Sequence, residues 1–323
     1  MTAPTDETPP TVADEPPTRP TWATKPPGVP WCPVEWSTHL SAFDRRDALE
    51  AVEVATRHVA HGDWQIVAAS RRGRLHAHRG EHREDAVAVR ATVDGWCGAV
   101  ADGAGSAPYS RIGALIATQA FCDTFAAATG PLEARATASA SACYLALRNF
   151  AVATGLAPRD LRTTLLAVAV SGQHVVSLHV GDGGLVLRHA DGTVLLPHEG
   201  DAGEFSGEVM HFLPDDGSEQ RLLASVTVRP IAGLQAVLLA TDGIEDPWYP
   251  LARNAPRLFG SLHSLGTTDA EQIREAIGVQ WTWNGSVLGS AAAGTAMGEW
   301  LTFEKRGEND DRTLLVAYLD GVH

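Results

Sequence analysis

The sequence predicts an α+β domain, and three observations carry that expectation. Short β-prone runs recur along the chain, turn dipeptides separate several of them, and two long amphipathic segments sit side by side between two groups of runs. The runs are Trp64–Ala68, Ala86–Val89, Trp96–Ala101, Leu165–Val170, Val175–Val180, Leu185–Arg188, Leu222–Val228, Val237–Ala240 and Thr313–Leu319. Asp191-Gly192 is the clearest hairpin dipeptide among the turns. In the first long segment Ile112, Leu115, Ile116, Cys122 and Phe125 recur at helical spacing. In the second, Cys143, Tyr144, Leu147, Phe150 and Ala151 do the same, so the two predict a helix pair packed on a sheet.

Outside this block the texture differs. Residues 1–30 are dense in Pro, Thr, Asp and Glu, which leaves too little apolar surface to order the segment, so a disordered tail is expected. Leu49, Val52, Val54 and Val59 predict a short helix between Asp44 and His61, in an N-terminal helical extension over 31–62. The main domain is expected to span 63–321. Further helices are expected near Asp269–Ala276 and Val287–Leu301.

Composition narrows the function. With 323 residues, 44% hydrophobic, the chain can bury a sizeable core. A net charge of −14 argues against nucleic acid as a partner, since a phosphate backbone demands a basic surface. It does not argue against phosphorylated substrates, because bound cations reverse the sign of an acidic pocket. Cys32, Cys97, Cys122 and Cys143 lie far apart without zinc spacing, which suits buried reduced thiols and a cytoplasmic setting. The N-terminus lacks a basic, then apolar, signal pattern, and no run of about 18 apolar residues predicts a membrane span.

Four places put a carboxylate at the end of an apolar strand: Glu84-Asp85 before Ala86, Asp102-Gly103 after Ala101, Asp242-Gly243 after Thr241, and Asp310-Asp311 before Thr313. Taken singly, each is a turn signal or a solvated loop. Together they offer hard oxygen donors from distant segments, which is what Mg²⁺ or Mn²⁺ needs.

The order of the elements resembles the metal-dependent protein phosphatases of the protein phosphatase 2C family. The matching stretches are Arg83-Glu84-Asp85-Ala86, Ala101-Asp102-Gly103-Ala104-Gly105, Thr163-Thr164-Leu165, His179-Val180-Gly181-Asp182, Leu239-Ala240-Thr241-Asp242-Gly243-Ile244 and Asn309-Asp310-Asp311-Arg312-Thr313. A bacterial subgroup is more similar still, through Gly73-Arg74-Leu75-His76 with Gly80, and through Gly203-Glu204-Phe205 with Phe212-Leu213. The likeness implies a four-layer α-β-β-α sandwich, two antiparallel sheets flanked by helices. It also implies hydrolysis of phosphoserine and phosphothreonine monoesters on proteins by a metal-bridging hydroxide, opposing a Ser/Thr kinase in bacterial signalling. Two divalent cations, Mn²⁺ or Mg²⁺, are implied: Asp102 bridging both, Glu84 and the Gly103 carbonyl completing one site, Asp242 and Asp311 the other. Asp182 would join Asp242 at a third site, and Asp85 would hold metal-bound water.

Two departures from the family pattern bear on catalysis. Ala104 stands where eukaryotic members carry a histidine after Asp-Gly. The phosphate-clamping arginine falls on Arg79 only one residue out of register, with His76, His78 and Arg83 as rivals. Trp248, Trp281, Trp283 and Trp300 fit either an aromatic substrate surface or core packing. The alternatives are a phosphatase-fold module that binds phosphoproteins or a regulatory partner, an enzyme for small phosphates, and a binding domain whose Asp-Gly pairs are turns. A monomer is expected, with no membrane partner.

Overall fold

The structure is a computed structural model that describes residues 53–198, 211–263, 291–305 and 308–319. Strand β1 (Val54–His61) and β2 (Trp64–Arg71) form a hairpin, and a short helix α1 (Arg74–Arg79) follows. Next come β3 (Ala86–Ala91), β4 (Gly95–Ala101) and the helix pair α2 (Ser110–Ala127) and α3 (Leu132–Thr154). Strands β5 (Leu165–Ser171), β6 (His174–Val180), β7 (Gly184–His189) and β8 (Val194–Leu195) continue the chain. Helix α4 (Ser218–Ser225), β9 (Thr227–Pro230), β10 (Leu234–Ala240), α5 (Asp242–Glu245) and α6 (Leu251–His263) precede α7 (Ala291–Trp300) and β11 (Arg312–Leu319).

The strands pair antiparallel in two sheets, ordered β1-β2-β11-β10-β7-β8 and β3-β4-β5-β6-β9. Side-chain alternation explains the layering. In β2, Ile66 and Ala68 face the space between the sheets, while Val67 and Ala69 face a helical layer with Leu258, Phe259 and Met297 from α6 and α7. In β4, Trp96 and Val100 face the inter-sheet core, while Cys97, Ala99 and Ala101 face α2 and α3. Both faces of each sheet are covered, so strands such as β4 and β10 are buried at every position and read as continuous apolar runs. The expected α-β-β-α order is the one observed.

Three expectations need correction. Val54–His61 is strand, not helix: each of its residues pairs with β2, from Val54 opposite Arg71 to His61 opposite Trp64. The β-branched Val54, Thr56 and Val59 and the Gly62-Asp63 turn outweigh a weak helical period there. The sheet therefore begins inside the stretch expected to be a helical extension, before residue 63; residues 44–52 lie outside the described part. Leu222–Val228 is not one strand either, because α4 runs to Ser225 and only Thr227–Pro230 pairs. Leu222 is fully buried in the core of α2 and α3, and a short apolar run does not reveal its period. The expected Val287–Leu301 helix is seen as α7 within the described residues, whereas the tail of 1–30, Asp269–Ala276, Trp281 and Trp283 lie outside them. Trp300 stacks with Trp248 at 6.4 Å and is buried, which favours core packing for that residue.

Candidate active site

Strand register gathers the acidic motifs at one end of both sheets. Ala86, just after Glu84-Asp85, pairs with Ala101, just before Asp102-Gly103. Leu165 pairs with Val180, so Thr163-Thr164 lies beside the Gly181-Asp182-Gly183 turn. Ala240, just before Thr241-Asp242, pairs with both Gly184 and Leu314. Antiparallel pairing thus brings the segments together whatever their sequence distance.

Buried hydroxyls fix the backbone beneath the carboxylates. Thr163 Oγ1 donates to the Asp102 carbonyl at 2.8 Å, and the Asp102 N–H donates to Thr164 Oγ1 at 2.9 Å. Thr241 Oγ1 donates to Asp85 Oδ2 at 2.8 Å and accepts from the Thr313 N–H at 3.1 Å. Thr313 Oγ1 bonds Ser70 Oγ at 2.6 Å. Arg83 is buried and donates to the Asp85 and Ser70 carbonyls, which makes it part of this scaffold.

The carboxylates press on one another. Asp102 is held well above the usual range by burial first, then by the charges of Asp242 and Asp85. Asp242 is likewise held well above it, by burial and then by Asp182, Asp310 and Asp85. Burial, then Asp311 and Asp310, pushes Asp85 up to about 7. The second oxygen of Asp85 is buried and no well-directed donor reaches it; the Asp102 carboxyl adjoins it. Glu84 flanks the Asp102 loop, for a Cβ on Gly105 would lie 3.8 Å from Glu84 Oε2 and one on Gly103 would meet the Glu84 carbonyl at 2.8 Å. Among the described residues no three His, Cys, Asp or Glu side chains form a ready-made ring of ligands. What the fold supplies is a set of mutually repelling oxygen donors, an arrangement that cationic charge would relieve.

His76 and Arg79 part company. His76 is buried on α1, with Nδ1 2.9 Å from Asp311 Oδ1 and Nε2 3.9 Å from Glu84 Oε2. Its pKa rises to about 9 although burial, the largest influence, lowers it; the Asp311, Glu84 and Asp310 carboxylates outweigh that. Arg79 lies outside the cluster: α1 turns it outward, its side chain is 47% exposed, and Glu81 is its ion partner at 3.9 Å. His78 is exposed as well. Asp310, named in the fourth acidic stretch but given no ligand role there, acts by its charge on Asp85, Asp102 and Asp242 alike.

A family model described as Protein phosphatase 2C matches residues 72–277. The chain belongs to that family. As a member it is a protein phosphatase of the 2C type. No protein with a curated description matches by sequence. Among solved structures, a bacterial serine phosphatase is similar with a TM-score of 0.52 at 14% identity, over 81% of this chain and 99% of that one. A serine/threonine phosphatase of S. agalactiae reaches 0.51 at 14% identity, over 80% and 100% of the respective chains. The catalytic domain of the serine/threonine phosphatase PstP, solved in complex with two manganese ions, is 20% identical with a TM-score of 0.47, over 80% and 98%. The first two of these likenesses support the 2C fold described above. Among the described residues no helix is long and apolar enough to cross a membrane.

Proposed function

We propose that this 2C-type phosphatase hydrolyses phosphoserine and phosphothreonine monoesters on proteins, with two divalent cations, Mn²⁺ or Mg²⁺, held by its own carboxylates. One observation carries this: strand register brings the four separated segments that hold Glu84, Asp102, Asp242 and Asp310 to one end of both sheets. Asp102, the Gly103 carbonyl and Glu84 would hold one cation, and Asp102, Asp242 and Asp310 the other. Asp310 replaces the expected Asp311, whose oxygens are taken by Gly73, Glu84 and His76. Asp182 stands beside Asp242 as the donor for a further cation.

A bound cation pair activates water near neutral pH and neutralises charge on the transferring phosphoryl group. The chain's own groups orient that chemistry. Asp85, pinned by Thr241, presents its remaining oxygen to accept a proton or to aim a water. No side chain need be a covalent nucleophile, and Cys97, Cys122 and Cys143 are buried free thiols, with burial pushing Cys122 and Cys143 upward. Those thiols support a reducing, cytoplasmic setting, where the enzyme would oppose a Ser/Thr kinase.

Turnover of p-nitrophenyl phosphate and of a phosphothreonine peptide, with Mn²⁺, Mg²⁺ or EDTA, tests the proposal. Activity that requires the metal and disappears in Asp102→Asn is expected. Turnover that persists in EDTA overturns the cation chemistry, and peptide binding without turnover leaves a phosphoprotein-binding module.

A further inference from the structure

The Asp311 carboxylate is only 2% exposed and is committed on several sides. Its Oδ1 accepts from the Gly73 N–H at 2.6 Å and lies 2.9 Å from His76 Nδ1; its Oδ2 accepts from the Glu84 N–H at 2.5 Å. Two of the about four acceptor directions of a carboxylate are thereby used by backbone N–H groups, and the His76 ring adjoins as an ion partner. His76 continues the chain of contacts, with Nε2 turned to Glu84 Oε2 at 3.9 Å. Helix α1 also seats on the segment just before β11 that carries Asp311. The Leu75 N–H donates to the Asn309 carbonyl at 3.0 Å, and a Cβ on Gly73 would meet the Asp310 carbonyl carbon at 2.3 Å. Asp310, one residue earlier in a bend, lies close enough for its charge to act on Asp102 and Asp242.

We propose that Asp311 and His76 form a positioning pair that ties α1, the Glu84 loop and the start of β11 together, setting Glu84 and Asp310 at cation-binding distance. Neither acts as ligand or general acid. Outer partners of this kind orient the groups that do bind a metal, and losing one typically weakens metal affinity 10- to 100-fold without abolishing it. The inference rests on the cation site proposed above, and its experiment keeps the two separable.

Mn²⁺ affinity of the full chain is measured by calorimetry, with p-nitrophenyl phosphate turnover as a second readout. Asp311→Ala and His76→Ala are each expected to weaken Mn²⁺ binding about 10- to 100-fold, with turnover largely restored at saturating Mn²⁺. Asp311→Asn, which keeps one carbonyl oxygen for the backbone donors, recovers part of the loss. Asp310→Asn loses turnover that no Mn²⁺ concentration restores. The pair's role is overturned if Asp311→Ala behaves like Asp310→Asn, for Asp311 is then a ligand. It is equally overturned if both alanine variants bind Mn²⁺ within about twofold of wild type, even with a lowered melting temperature, because a structural role alone would do that. Should Asp311→Ala not fold, Asp311→Asn and His76→Gln are judged by the same affinities. Wild-type chain that binds Mn²⁺ without turnover removes the phosphatase proposal while leaving the affinity comparison intact.

Discussion

Replacing Gly243 by alanine should damage the site more than the fold. An ideal Cβ at Gly243 would stand 1.9 Å from the Asp311 carbonyl oxygen and 3.0 Å from its carbon. Real Cβ atoms essentially never come closer than 3.0 Å, so the loop after β10 and the start of β11 must part by about 1 Å. Both neighbours are backbone, and the Thr241 and Thr313 hydrogen bonds at 3.1 Å resist the parting. Asp242 rides on one side of that gap and Asp310 on the other. A displacement of about 1 Å costs on the order of 100-fold in turnover when it separates groups that must act together. Overpacking costs the fold about 1–3 kcal/mol, a fall of roughly 2–10 °C in melting temperature. The assay is p-nitrophenyl phosphate hydrolysis across a Mn²⁺ titration, paired with thermal melting. Gly105→Ala is the control, because its Cβ would meet only Glu84 Oε2, at an ordinary 3.8 Å. Gly243→Ala activity within about threefold of Gly105→Ala would refute the geometric reasoning, since a 1 Å misfit cannot be that mild.

Metal-free protein in EDTA should lose stability as pH rises from about 4 to 9, through Asp85 first and His76 above about 6.5. The folded pKa values of Asp85 (about 7 against 3.8) and His76 (about 9 against 6.5) are both raised, so their contributions are complete below the unfolded values and vanish through the folded ones. Mn²⁺ should then raise the melting temperature more at pH 8 than at pH 5; equal gains at both count against a carboxylate cluster. His198 works in the opposite sense. Burial, then His179 and Arg229, lowers it to about 4, so its contribution is present above 6.5 and is lost as pH falls through 4. His198→Gln should flatten the acid limb of a melting-temperature profile, and an unchanged limb refutes the assignment. Leu147→Ala, at a fully buried position of α3 in the core shared with α2, should cost about 2–5 kcal/mol in chemical denaturation. It should leave Mn²⁺ affinity unaltered.

How much of this was legible in the sequence depends on what fixes each feature. The strands at Ala86, Trp96, Leu165, Val175 and Val237 announced themselves because both their faces are buried, which demands unbroken apolar runs. The edge strand Val54–His61 did not, since only Ala55 of its eight residues is fully buried and little apolar pattern is required of it. Helix α1 was invisible for another reason. It has six residues, too few for a period, and is held by the N–H contacts of Gly73 and Leu75 with the segment before β11, more than two hundred positions away.

The same distinction bears on the proposed exchange of Asp311 for Asp310 at the site. With two adjacent aspartates just before β11, the sequence does not say which of Asp310 and Asp311 turns to the other carboxylates. Which one does so is decided by partners from elsewhere: the Gly73 and Glu84 N–H groups and the His76 ring all wait on the side that Asp311 faces. Those donors belong to Gly73-Arg74-Leu75-His76 and to Glu84, motifs readable in the sequence, but their tie to Asp311 is a fact of tertiary packing. If that tie is what sets the register, His76 and Asp311 constrain each other. A chain altered at His76 should then bind Mn²⁺ no more weakly when Asp311 is altered too, whereas two independent losses would add.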